Sequence, residues 1–135
     1  DRVRCALEAG VDRSAIVLDP GLGFGKTVGQ NARLIAATHG FVGCGHPILC
    51  AASRKSFIGA ITGQESPADR VAGSVAVALW EAACGVRLFR VHDVSAHVRA
   101  LAVLDRTAAM ADSIGAAARG LLEPVPDGGT MVDLH

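Results

Sequence analysis

Three short apolar runs constrain this chain more than any other feature: residues 15–18 (AIVL), 47–50 (PILC) and 87–91 (RLFRV). Each is bounded by turn residues, and none alternates apolar with polar as a strand half in water does. Strands of that kind are covered on both faces, as in a parallel sheet. Parallel strands need long crossovers, and helical patterns fill the intervals. Residues 1–9 read as a helix ended by Gly10. Residues 29–38 carry Ala32, Leu34, Ile35 and Ala36 before His39 and Gly40. Ser53 is placed to cap a helix over Arg54–Ile61. Residues 66–84 open on Ser66 and Pro67, a cap with proline in the first turn, and stop at Gly85. Residues 95–118 start at Ser95 and run through Val98, Leu101, Val103 and Leu104. The order is a helix and then three strand–helix units, an α/β fold with right-handed crossovers. Residues 119–135, with Pro124, Pro126 and the pair Gly128 and Gly129, show no period and are expected to form a mobile tail.

Half of the 135 residues are apolar, enough for the core of one domain. Thirteen basic and thirteen acidic residues leave no net charge, and no basic run marks a nucleic-acid surface. No stretch reaches the roughly eighteen uninterrupted apolar residues of a membrane span. The chain opens on Asp1 in a helix-like pattern, with neither an initiator Met nor a basic-then-apolar leader, so it is expected to be a piece of a longer chain. Cys5, Cys44, Cys50 and Cys84 form no C-x-x-C pair and suit buried or half-buried thiols of a reducing cytosol.

In a parallel α/β sheet, ligands gather at the carboxyl ends of the strands. The first run delivers Asp19 and then PGLGFGKT. The second delivers Ser53, Arg54, Lys55 and Ser56. The third ends in RVHD, with Arg90 and His92 two apart and so on one face of a strand. One carboxylate, several cations and two hydroxyls therefore converge at one sheet edge.

The glycine-rich stretch invites a nucleotide-loop reading, and its spacing argues against one. A G-x-x-x-x-G-K-[ST] loop needs glycine at position 20, where this chain has Pro20, without an N–H and with a fixed φ. Gly21, Gly23 and Gly25 alternate and do not fit G-x-G-x-x-G. Asp19 at the mouth would repel a polyphosphate laid against it. A plain structural loop is the simpler alternative. Lys55 reads either as a solvated helix-start residue or, because a cation there opposes the helix dipole, as a ligand contact. Arg90 in an apolar strand needs a carboxylate or a bound anion. His92 is a core histidine or half of an anion site. His39, His46, His97 and His135 lack partner spacing and are expected at the surface, and no metal-ligand cluster stands out.

Four segments, LDPGLGFGKT with Asn31 after it, SRKSFIG, ADRVAGSVA and LFRVHDV, resemble in order and spacing the carboxyl-terminal part of the dihydropteroate synthase family. The resemblance covers residues 1–105. It implies the last three strand–helix units of a (β/α)8 TIM barrel, incomplete because such a barrel takes about 250 residues. On that basis residues 1–118 are the barrel portion and 119–135 the tail. The family joins 6-hydroxymethyl-7,8-dihydropterin diphosphate to 4-aminobenzoate, giving 7,8-dihydropteroate and diphosphate, a transferase reaction of folate biosynthesis that sulfonamides inhibit at the aminobenzoate site.

The resemblance gives Asp19 the pterin's amino-amide edge, and gives Lys55 contacts to the pterin beside the aminobenzoate. It puts Phe24 near the aminobenzoate ring and Ser56 at its carboxylate. It makes Arg90 and protonated His92 the diphosphate pocket, with Arg54 a weaker candidate. Lys55, Arg90 and His92 are the catalytic residues on this reading, and Lys26 and Thr27 are loop and helix-start structure. Mg²⁺ is expected with the diphosphate, its ligands mostly outside this segment. The parent enzyme is expected to be a cytoplasmic homodimer that binds neither nucleic acid nor membrane.

One departure is Ala51, where the family usually has glycine, which adds a methyl near the pterin pocket. Two other readings stay open. A pterin-binding methyltransferase of the same barrel type would use methyltetrahydrofolate and need no cationic pair for diphosphate. A non-catalytic pterin-binding paralogue is hinted at by Ala51 alone.

Overall fold

The computed structural model describes the backbone of residues 1–121 and the side chains of residues 1–114. Asp1–Ala102 form one compact unit; a second begins at Val103 and, over the described residues, is the remainder of the last helix. The expected tail lies outside the described residues from 122 onward, whereas residues 119–121 still belong to that helix.

Helix α1 (Arg2–Glu8) leads into a 3₁₀ turn over Arg13–Ala15. Asp12 caps that turn, its Oδ1 accepting the backbone N–H of Ser14 at 2.7 Å and the Ser14 hydroxyl at 2.6 Å. These bonds hold the Asp12 carboxyl below the usual carboxylate range. The cap draws Ala15 into the turn, and Pro20 follows without an N–H. Of the strand expected over 15–18, only Leu18 joins the sheet. Its N–H donates to Pro47 O (2.9 Å) and its carbonyl accepts from Leu49 N–H (2.8 Å).

Helix α2 (Val28–Ala36) starts with a capping box: the Thr27 hydroxyl accepts from Gln30 N–H (3.2 Å) and the Gln30 side chain from Thr27 N–H (2.8 Å). After Ala37 the chain turns into α3 (Thr38–Val42) and enters strand β1 (Leu49–Cys50). Helix α4 (Ser56–Thr62) stops at Gly63, left-handed at φ 73°. The helical pattern expected from residue 66 divides into a 3₁₀ turn over Pro67–Arg70 and α5 (Val71–Ala83). Strand β2 (Leu88–Phe89) pairs parallel with β1, Leu49 opposite Leu88 and Cys50 opposite Phe89. Helix α6 (Val94–Leu121) follows. Parallel pairing across helical crossovers is the α/β arrangement that the unalternating runs predict.

Leu22, Ile48, Ala52, Phe57, Ile58 and Val86 make the core between the strands and the helices packed on them. Gly73 lets α5 approach α4 closely, because a Cβ there would meet the Ile58 side chain. Of the cysteines, Cys50 and Cys84 are buried, whereas Cys5 and Cys44 are exposed, against the expectation that all four would be at least half-buried. Two histidines expected at the surface, His46 and His97, are buried, while His39 is exposed. His97 lies on the inward side of α6, its Nδ1 2.8 Å from Asp93 O. His135 lies outside the described residues.

Glu81 on α5 is 1% exposed. Its Oε1 is 3.1 Å from the Thr38 hydroxyl, and Oε2 has no partner among the described residues. Burial pushes the Glu81 carboxyl above its ordinary value, only partly opposed by Thr38, and burial with the Glu81 charge drives the Cys50 thiol up to about 12. A raised carboxyl pKa means that the folded chain holds a proton the unfolded chain has released. Stability therefore falls as pH rises from the ordinary glutamate value of 4.5 through the raised folded value. Glu81→Gln, which cannot ionise, is expected to lack this fall, so its stability relative to the wild type should rise as pH rises above 4.5. Thermal melts of both proteins across pH check this; a constant offset at every pH would contradict it.

Candidate functional site

All three loops leave the carboxyl ends of adjacent parallel strands and meet at one edge. The first passes through Gly21, Gly23 and Gly25 at φ 70°, 80° and 58°, the left-handed region that favours glycine. It is closed from within. Asp19 Oδ1 accepts Gly21 N–H at 2.7 Å. Asn31, fully buried on α2, accepts Gly23 N–H (2.7 Å) and donates to Thr27 O (2.9 Å) and Lys26 O (3.4 Å). The Lys26 ammonium donates to Gly21 O (2.7 Å) and Phe24 O (3.1 Å). Lys26 is thus bound by the loop's own carbonyls and Thr27 by its cap, so both serve loop and helix-start structure.

The middle loop starts from buried Ala51, Ala52 and Ser53. Lys55, and not Ser53, precedes α4 as its cap residue. The Ser53 hydroxyl points instead to the third loop, 3.1 Å from both the backbone N and Nδ1 of His92. Arg54 is left-handed at φ 60°, rare for a residue with a Cβ, and is held there on three sides. Its N–H donates to Ser74 Oγ (2.9 Å), its carbonyl accepts from Arg70 Nη1 (3.0 Å), and its guanidinium forks onto Asp93 at 3.0 and 2.6 Å. Hydrogen bonding to Arg54 holds the Asp93 carboxyl below the usual range, with the charges of Arg54, His97 and His92 adding to the effect. The same pairing raises the Arg54 guanidinium further.

Lys55 ties the middle loop to the first. Its ammonium lies 3.5 Å from the centroid of the Phe24 ring, a cation–π contact, and its stem packs on Gly23. A Cβ at Gly23 would come within 2.8 Å of Lys55 Cδ, so glycine there sets where Lys55 lies. Phe24 is otherwise open, 62% exposed. Ser56 opens α4 and is exposed.

Arg90 N–H donates to Cys50 O (2.9 Å), beyond the last paired residues of β2. Arg90 and His92 therefore lie in the loop after β2 and not on one face of a longer strand. Both are exposed. Among the described residues the Arg90 guanidinium meets no acceptor, in contrast with Arg54.

The edge thus presents the Asp19 carboxylate, an ammonium over an aromatic face, a hydroxyl at Ser56, and the exposed side chains of Arg90 and His92 two residues apart. Such a set suits a flat heterocycle carrying N–H groups together with an anion. Among the described residues no three His, Cys, Asp or Glu cluster, and both Asp93 oxygens already face Arg54. No described helix is long and apolar enough to cross a membrane.

Residues 1–92 match the family of pterin binding enzymes. The chain belongs to that family. The matched span includes Asp19, Phe24, Lys55, Ser56, Arg90 and His92. Relatives include the dihydropteroate synthase of Bacillus subtilis, 39% identical over 105 residues, 78% of this chain and 36% of the relative. That of Neisseria meningitidis serogroup B is 44% identical over 100 residues, 72% of this chain and 35% of the relative. Dihydropteroate synthase from Xanthomonas albilineans in complex with 7,8-dihydropteroate superposes with a TM-score of 0.78 at 45% identity, over 80% of this chain and 42% of that one. The Thermus thermophilus enzyme in complex with 4-aminobenzoate gives 0.73 at 50% identity, over 78% and 40%. The chain therefore spans little more than a third of the length of the curated relatives it matches.

Three residues that shape this edge escape the sequence reading. Ser53 reads there as a helix cap, Asp93 has no assigned partner, and Asn31 is only part of a motif. Asn31 alone leaves a trace, a polar residue on the inward face of an amphipathic helix after a glycine-rich loop.

Proposed function

We propose that this chain is the carboxyl-terminal part of a dihydropteroate synthase, supplying the last three strand–helix units of its TIM barrel. The observation that carries the proposal is the double tie of the middle loop, through Lys55 to Phe24 and through Ser53 and Arg54 to His92 and Asp93. It sets a cation against an aromatic wall on one side and an anion pocket on the other.

On this reading Asp19 accepts the amino-amide edge of 6-hydroxymethyl-7,8-dihydropterin diphosphate. Phe24 and the Lys55 stem flank 4-aminobenzoate, whose carboxylate meets Ser56. Breaking the C–O bond builds negative charge on the departing diphosphate and positive charge on the pterin CH2 carbon. Arg90 and His92 donate to the first, an effect of about 10²–10³-fold for one well-placed donor. The neutral amine of 4-aminobenzoate attacks that carbon in line, so no enzyme nucleophile is needed. Magnesium, expected with the diphosphate, takes its ligands from elsewhere in the parent. The parent is a cytoplasmic homodimer inhibited by sulfonamides at the aminobenzoate site. The dimer is supported by an apolar groove of about 370 Å³ on the outer helices, where Ile61 and Trp80 are 61% and 52% exposed.

A diphosphate-release assay with both substrates tests the proposal. A parent chain containing these residues is expected to turn over, and the 135 residues alone are not, because the matched segment is about a third of an active relative's length. Robust turnover by the 135 residues alone contradicts the fragment reading. A parent that moves a methyl group from methyltetrahydrofolate without releasing diphosphate contradicts the synthase reading.

A further inference from the structure

We propose that Ser53 is a positioning residue for His92: its buried hydroxyl fixes the imidazole so that Nε2 always carries a hydrogen and offers it to the diphosphate. The argument is a count of hydrogens. A serine hydroxyl has one hydrogen to give and two lone pairs to receive with. Ser53 is 6% exposed, so water does not readily complete its bonding. One lone pair takes the His92 backbone N–H at 3.1 Å. Among the described residues the one acceptor within reach of the Ser53 hydrogen is His92 Nδ1, also at 3.1 Å.

Were Nδ1 protonated in the neutral ring, Ser53 would receive two N–H groups and its own hydrogen would be left buried without an acceptor. An orphaned buried donor costs about 1–3 kcal/mol. The neutral ring is therefore the Nε2–H tautomer, and the protonated ring carries a hydrogen on Nε2 as well. Nε2 has no partner among the described residues and His92 is exposed, so that hydrogen faces outward. Next door, Arg54 holds Asp93, so residues 53 and 54 grip residues 92 and 93 in register. The charged and titratable groups around His92 are Arg90 on its own loop, Asp93 and the Arg54 that neutralises it, and His97 on α6.

The use of the Nε2–H rests on the synthase reading; the tautomer does not. In the ¹⁵N-labelled chain, long-range ¹H–¹⁵N spectra above the imidazole transition are expected to show His92 Nδ1 as the unprotonated nitrogen and Nε2 as the protonated one. Ser53→Ala should mix the two forms, and Ser53→Thr, which keeps the hydroxyl, should restore the Nε2–H form. Nδ1–H in the wild-type chain overturns the proposal without reference to any variant. So does a folded Ser53→Ala chain with an unchanged tautomer. Inorganic diphosphate is the probe for use. Raising the pH through the imidazole transition should weaken its binding several-fold more in Ser53→Ala than in the wild type, and an equal pH dependence in the two overturns the role assigned to Ser53. Diphosphate that fails to bind a wild-type parent with the Nε2–H tautomer contradicts the synthase reading and leaves the tautomer standing.

Discussion

Replacing Arg90 by alanine in the parent enzyme is expected to lower kcat/KM by about 10²–10³-fold while leaving the melting temperature nearly unchanged. Both halves follow from where the guanidinium stands. Arg90 lies past the paired end of β2, and only its backbone N–H is used by the fold, on Cys50 O. Its charge meets no acceptor among the described residues, so alanine removes no bond the folded chain relies on. On the proposed synthase reading the leaving group is diphosphate, which gains most of its charge as the C–O bond breaks, so a donor placed for it acts mainly in the transition state.

Arg54 supplies the contrast one loop away. It has the same chemistry and also lies at the sheet edge, but its guanidinium is committed to Asp93 in a forked pair. Arg54→Ala should lower the melting temperature and change its response to acid. The Asp93 carboxyl is held below its ordinary range, so its contribution is present above the unfolded value and lost as pH falls through the lowered folded value. Without Arg54 that acid-side loss should shrink. Kinetics and melts on both variants separate the roles. An Arg90→Ala enzyme with full activity, or one that unfolds, would contradict the assignment of the anion pocket.

The two arginines also mark the limit of what the sequence makes legible. The unalternating runs announce parallel strands, because a strand buried on both faces has no polar side to display. That the second and third runs end in SRKS and RVHD is equally visible. Which arginine is left without an internal acceptor is not, because the deciding acceptor, Asp93, lies 39 positions from Arg54 and reaches it only after the crossover from β1 to β2 folds. Ser53 misleads for a related reason. A serine before a helix is a good cap by local rules, and here a contact equally distant in sequence, with His92, takes its hydroxyl instead. The first strand shrinks through a purely local competition, the Asp12 cap against the sheet. The buried His97 is legible only once α6 has a known inward side.

Asn31→Ala is expected to destabilise the chain by about 2–4 kcal/mol and, in the parent, to impair aminobenzoate use as well. Asn31 touches none of the groups assigned to chemistry, yet it is fully buried and its amide spans the glycine loop from beneath. Alanine orphans Gly23 N–H and withdraws a donor from Thr27 O and Lys26 O, beneath a half-buried loop. Gly23 is also the surface on which the Lys55 stem rests, with the Lys55 ammonium on Phe24. Loosening Gly23 therefore loosens the cation and the aromatic wall together, and the damage should appear as a raised KM for 4-aminobenzoate before any change at the diphosphate. Asn31→Asp separates the two directions of the amide. The acid keeps an acceptor for Gly23 N–H but turns a carboxylate oxygen toward two carbonyls, so it should destabilise at neutral pH and recover in part when protonated. Melts at two pH values and KM measurements for each substrate distinguish these outcomes. Equal stability of Asn31→Ala and wild type would mean that the glycine loop holds its shape without the side chain, through the Asp19 and Lys26 bonds alone.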